Sequence, residues 1–277
     1  MNSLRSRASA AALAALVSAC ASTSGTLSTP TEPPPAPRTA SQIPTEPDVI
    51  AEQADPRTRA KAHTDLAAAY YELGNMSVAL EEVRVALAAD SSYAAAYSVQ
   101  GLVYMDLKDV PAAQSSFERA MRLAPGDPDI LHNYGWFLCQ TGREDQSIAY
   151  FTRAVASPLY RAPAKSYAAA GQCAKRRGDD AEAAGYFDRA LRLDPNNVTA
   201  LLPYAEILYR GGRYNDAKAL VARFNQLVEP TPESLWLQLR LDRRLGDRAG
   251  ETATATQLRR RFPNSNEYRE FMQGKFE

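Results

Sequence analysis

The chain has 277 residues, 23% charged and 45% hydrophobic, a composition that admits an α-rich folded body with a tail. Its 32 basic and 32 acidic side chains cancel, so charge makes no case for binding nucleic acid. No apolar run is long enough to cross a bilayer as a helix.

Residues 1–19 read as an export signal, with Arg5 and Arg7 as a basic start, an apolar stretch from Ala8 to Val17 and small residues before Cys20. The string VSAC at 17–20 resembles a lipobox, which implies cleavage before Cys20 and lipid on its thiol. A plain secretory signal looks similar but does not need a cysteine at that place. By resemblance to Gram-negative lipoproteins, Ala21 after the cysteine implies transport to the outer membrane. Residues 20–52 are dominated by Ser, Thr and Pro, with EPPPAP at 32–37, and cannot bury enough surface to offset the entropy of ordering. This stretch is expected to be a tether, whose 27 residues from Ala21 to Pro47 reach at most about 80 Å at roughly 3.1 Å per residue. The other reading is a proline-rich ligand for a partner's groove.

A folded body is expected over 53–277. Asp55-Pro56 opens it, with Asp as cap and Pro at the first helical position. The stretch AAAYSVQGLVYMDLKDVPAAQSSFERAMRLAPGD places Tyr97, Gly101, Tyr104, Ala113, Phe117, Ala120 and Pro125 at offsets 4, 8, 11, 20, 24, 27 and 32 of one unit. That is the pattern of the 34-residue tetratricopeptide repeat. Two antiparallel helices cross closely where one offers Gly or Ala and the other a ring, and Pro125 stops the second helix. Placing Gly74, Gly142, Gly178, Gly212 and Gly246 at offset 15 sets six repeats in register, near 60–93, 94–127, 128–163, 164–197, 198–231 and 232–263. The expected fold is all-α: a right-handed superhelix of six helix-turn-helix repeats, closed by a capping helix over 264–277 whose Tyr268, Phe271 and Met272 cover the last apolar face. Two extra residues fall in SPLYRAP at 157–163, where a local change of twist is expected, and Pro203 at offset 6 predicts a kink or a late helix start.

Little in the sequence converges on chemistry. His63 and His132 stand alone on separate helices, and no Cys-x-x-Cys, His-Glu-x-x-His or phosphate loop occurs. No catalytic residue, metal, cofactor or small-molecule substrate is expected. Cys139 and Cys173 lie on the first helices of adjacent repeats; an oxidising compartment favours a disulfide over two buried thiols, worth about 3 to 4 kcal/mol in the loop-entropy account. First helices line the concave face of such superhelices, through offsets 2, 5, 9, 12 and 13. Those offsets select Tyr71, Leu102, Met105, His132, Trp136 and Tyr209 as a groove for a partner's apolar segment, the alternative being that Leu102 and Trp136 pack against neighbouring helices. Arginines concentrate at 240–261, read either as a solvated face or as a contact for an acidic partner or anionic lipid.

The strings LHNYGWFLCQTGR at 131–143, SPLYRAPAKSYAAAGQCAKRRGD at 157–179 and YFDRALRLDP at 186–195 resemble the type IV pilus biogenesis/stability lipoproteins, the secretin pilotins. NYGWFLC is the specific part, since the repeat consensus alone matches many scaffolds. The resemblance implies an outer-membrane lipoprotein facing the periplasm whose partner is the pilus secretin subunit, carried to that membrane and helped to assemble its pore. A repeat scaffold for other envelope machinery, such as peptidoglycan synthesis or outer-membrane protein assembly, would share the anchor and repeats but not NYGWFLC. An enzyme with repeats attached is disfavoured, because no catalytic domain's length remains outside the array.

Overall fold

The computed structural model describes residues 55–276, and among them thirteen helices and no strand. The readings placed on residues 1–52, Cys20 and the tether included, lie outside the described residues. The helices pair in order: α1 (Pro56–Glu72) with α2 (Met76–Ala89), α3 (Ala94–Asp106) with α4 (Val110–Leu123), and α5 (Pro128–Gln140) with α6 (Glu144–Val155). Next come α7 (Pro163–Arg177) with α8 (Asp180–Leu193), α9 (Val198–Arg210) with α10 (Tyr214–Leu227), and α11 (Pro232–Arg244) with α12 (Arg248–Arg261). A seven-residue helix, α13 (Asn266–Met272), closes the array against α11 and α12. The architecture is a tetratricopeptide superhelix, in which each first helix also touches the first helix of the next repeat, so α1, α3, α5, α7, α9 and α11 form one continuous wall.

Helix starts follow the caps. Asp55 Oδ1 accepts from the amides of Arg57 and Thr58, Asp127 Oδ1 from those of Asp129 and Ile130, and Thr231 and Ser234 form a reciprocal box, each cap followed by proline. The offset-15 glycines turn the chain between paired helices at positive φ. Repeat two puts Lys108 there instead, at φ 65°.

Three sequence expectations need correction. α9 begins on register at Val198 and runs continuously through Pro203, so there is no late start; the missing N–H removes only the bond to the Thr199 carbonyl, one turn inside the helix. The terminal helix is shorter than 264–277, because Gly274 turns the chain at φ 68°. Met272 therefore stays 66% exposed, and Phe276 takes its place with Tyr268 and Phe271 against Leu235, Trp236, Leu239 and Leu258.

Within each repeat the pair crosses where offset 8 meets offset 24. A Cβ added to Gly101, Gly135 or Gly171 would lie 2.8, 3.1 or 2.6 Å from the ring of Phe117, Phe151 or Phe187. Repeat five fills the same place with Ala205 and Val221. Gly171→Ala is therefore expected to destabilise by about 1–3 kcal/mol through overpacking, in spite of the gain of roughly 1 kcal/mol in helix propensity. Combined with Phe187→Val, it should cost at least about 1 kcal/mol less than the sum of the two single changes. Urea titration of the four proteins checks this, and simple additivity would show that the two positions do not share one space.

Candidate functional site

The first-helix wall carries a recess of about 260 Å³ to which five repeats contribute. Tyr71, Leu102, Trp136, Ala168 and Ala169 give it an apolar lining, and His132, Asn133, Lys165, Gln172, Asn197 and Thr199 a polar one. Trp136 sits at the junction. It packs partly buried against the cluster of Met105, Ala113, Phe117 and Phe137 and against the cluster of Cys139, Phe151, Ala168 and Cys173.

Four of the six groove candidates thus meet in one place: Tyr71, Leu102, His132 and Trp136. Met105 and Tyr209 do not. Met105 is 8% exposed and packed on Ala113, Phe117 and Phe137. Its side chain is taken up by the contact with α4, although Tyr71 at the same offset of repeat one lines the recess. Tyr209 is also 8% exposed, packed on Leu237 and Leu241, with its hydroxyl donating to the Phe276 carbonyl at 3.3 Å. Lys165 and Gln172 were missed because only apolar and aromatic residues were selected; they sit at offsets 2 and 9 of repeat four, which the repeat register already marks as wall positions.

The polar groups are held from behind. Asn133 Nδ2 donates to Ser98 Oγ at 3.1 Å, fixing its amide across repeats. Tyr71 hydrogen-bonds the Asp106 carboxylate; burial first, then that bond and the negative charge, push its phenol above the ordinary range. Burial likewise raises the Asp129 carboxyl, with Asp127 adding and Lys165 opposing.

Beneath the recess, His132 Nδ1 and the Tyr160 hydroxyl each share a hydrogen bond with Ser166 Oγ, both at 2.8 Å. Tyr160 comes from the two-residue insertion, which therefore buries a ring and hydroxyl between α5 and α7. The Ser–His spacing is that of a nucleophile and its base. Ser166 is fully buried, however, and its oxygen is also engaged by Tyr160, so no substrate can approach it. Burial, assisted by the Lys165 charge, lowers the His132 pKa to about 3, and the ring stays neutral. The Sγ atoms of Cys139 and Cys173 lie 2.05 Å apart, joining the same two helices. Among the described residues no cluster of three His, Cys, Asp or Glu side chains could hold a metal ion.

Comparison with known proteins agrees with the repeat fold. Two tetratricopeptide-repeat family models match residues 98–165 and 175–239. The type IV pilus assembly protein PilF of Pseudomonas aeruginosa is 28% identical over 210 residues, 76% of this chain and 83% of that protein. The solved structure of Pseudomonas aeruginosa PilF superimposes with a TM-score of 0.74 at 28% identity, over 79% of this chain and 99% of that one. PilW, a widely conserved type IV pilus biogenesis factor, gives a TM-score of 0.68 at 29% identity, over 77% and 98%.

The buried imidazole makes stability depend on pH in a defined direction. Between about pH 3 and 6.5 the unfolded chain binds a proton at His132 that the folded chain refuses, so folding weakens as pH falls through that window. From pH 7 to 5 the loss is about 2 kcal/mol. Denaturant titrations at both pH values should show that His132→Gln loses about 2 kcal/mol less than the wild type over this interval. Parallel losses in the two proteins would mean that His132 accepts its proton in the fold.

Proposed function

We propose that this chain, a tetratricopeptide-repeat protein related to the type IV pilus assembly factors PilF and PilW, serves pilus biogenesis by holding a segment of a partner protein on its first-helix wall, with the recess at Trp136 as the anchor point. The observation that carries this reading is the convergence of Tyr71, Leu102 and Trp136 from three repeats into one open recess. A partner's apolar side chain entering there removes these surfaces from water, while Asn133, Lys165 and Gln172 offer hydrogen bonds around it. Holding of this kind is non-covalent and requires no catalytic group.

The finer proposal is that of a pilotin. The held segment belongs to the pilus secretin subunit, lipid on Cys20 anchors the chain to the outer membrane with its repeats facing the periplasm, and delivery of the lipoprotein carries the secretin with it. Support comes from VSAC at 17–20, the tether over 20–52 and NYGWFLC within α5.

Trp136→Ala removes the largest side chain of the recess. Affinity for the secretin subunit should fall at least thirtyfold, about 2 kcal/mol, if Trp136 is a hot spot. Melting should shift only by roughly 2–4 °C for each kcal/mol of packing lost, because the ring is only partly buried. Undiminished secretin binding by a folded Trp136→Ala protein would move the docking surface elsewhere.

Export and lipidation are read together by intact mass. Protein purified from membranes and alkylated without reductant should begin at a lipid-bearing Cys20 and carry no alkyl group on Cys139 or Cys173. A mass matching an unprocessed chain with three alkylated thiols would remove both the anchor and the disulfide.

A further inference from the structure

The recess at Trp136 is not uniform along the array. Its large apolar side chains, Tyr71, Leu102 and Trp136, come from repeats one to three, and Ala168 and Ala169 continue that floor into repeat four. At the other end stand Lys165 and Gln172 of repeat four and Thr199 of repeat five. The side chains of these three can all donate hydrogen bonds, and none of them has a hydrogen bond or an ion pair among the described residues. The two asparagines of the lining are already engaged, Asn133 Nδ2 with Ser98 Oγ and Asn197 Oδ1 with the Ala200 amide.

Lys165 decides what this end can hold. With His132 neutral, it carries the only formal charge among the lining residues, and it is exposed. Lys175 of the same helix is paired with Glu206, whereas Lys165 has no such partner. Asp129 lies close enough for the Lys165 charge to oppose the rise of its carboxyl pKa, but it forms no ion pair with Lys165 and does not line the recess. The recess therefore offers an apolar floor at one end and, at the other, a cation and two neutral donors without an acceptor.

We propose that the recess selects a partner segment in which an apolar side chain stands within a few residues of Asp or Glu, the apolar side chain seated on Trp136 and the carboxylate at Lys165. This selection rests on the recess being the docking point and adds the chemistry of the segment docked there. A carboxylate has two oxygens and about four lone-pair directions, enough to meet an ammonium, a carboxamide and a hydroxyl together. Its charge makes each of those bonds stronger than a neutral acceptor would. A fatty acid combines the same two chemistries, but a recess of about 260 Å³ holds a side chain and a carboxylate and leaves no room for a long acyl chain.

The probes are N-acetylated, C-amidated serine peptides that contain one Phe and one Glu, in either order and with none to three serines between them, so that the Glu side chain is their only charge. Each has a counterpart with Gln in place of Glu, and binding to the full chain in detergent is followed by calorimetry. At least one Glu peptide should bind saturably, and its Gln counterpart at least about fivefold more weakly. Lys165→Gln should remove that preference, whereas Lys165→Arg should keep it, and Trp136→Ala should weaken both peptides together. Because Lys165 is exposed, its variants should melt as the wild type does. No saturable binding by any Glu peptide, equal affinity for the Glu and Gln peptides, a preference that survives in Lys165→Gln, or octanoate bound as tightly as the best peptide would each overturn the proposal. Weaker secretin binding by Trp136→Ala together with equal binding of Glu and Gln peptides removes only the carboxylate. Undiminished secretin binding by that variant removes the docking point, and this selection with it.

Discussion

In every repeat, offset 8 of the first helix and offset 24 of the second divide one fixed space between them. Gly101, Gly135 and Gly171 leave that space to Phe117, Phe151 and Phe187; Ala67 and Ala205 share it with Val83 and Val221; Leu239 reverses the order and faces Ala255. A small residue on one helix faces a larger one on the other, as close packing requires. The rest of the molecule depends on this spacing. Consecutive first helices lie side by side, and a stripe of side chains from six separate segments becomes one surface.

That surface is where the repeats are allowed to differ. Offset 8 is constrained by the helix behind it, whereas offset 9 lies one residue on, about 100° around the helix, and is released from that constraint. Along the array offset 9 runs Ala68, Leu102, Trp136, Gln172, Glu206 and Arg240, apolar over the first three repeats and polar or charged over the last three. A regular core thus carries an irregular face, where residues can vary without disturbing the packing behind them.

The regular part was legible for steric reasons. Gly at offset 8, Phe at offset 24 and Gly at the turn each answer to a contact or a φ value that admits few residues, so the register of all six repeats could be read from them. The face was legible only in part. Leu102 and Trp136 share offset 9 and enter one recess, but offset 12 divides: Tyr71 lines that recess while Met105 and Tyr209 are drawn into the core, and no hydropathy pattern separates the cases. Tyr160 carried no signal, because its partners His132 and Ser166 come from two other helices and the sequence shows only an irregular insertion. Arg240 was visible as one arginine in a basic cluster; its setting between Tyr209 and Trp236 appears only once repeats five and six are stacked.

The junction of repeats three and four shows how the insertion and the recess belong together. Each repeat in a solenoid touches only its neighbours, so its curvature can give at every junction. Two extra residues between α6 and α7 would loosen this one, yet it is also the most heavily tied: Cys139 meets Cys173, and the buried Ser166 oxygen takes hydrogen bonds from or to His132 of α5 and Tyr160 of the insertion itself. The Trp136 recess lies over these ties, with His132 in α5 and Ala168, Ala169 and Gln172 in α7 forming its opposite sides. These contacts tie its two walls to each other, and a recess that needed no ordering would give up less entropy to the segment proposed to bind there. The insertion supplies one of those ties, since without Tyr160 the Ser166 hydroxyl, which also bonds His132, would have one buried partner fewer.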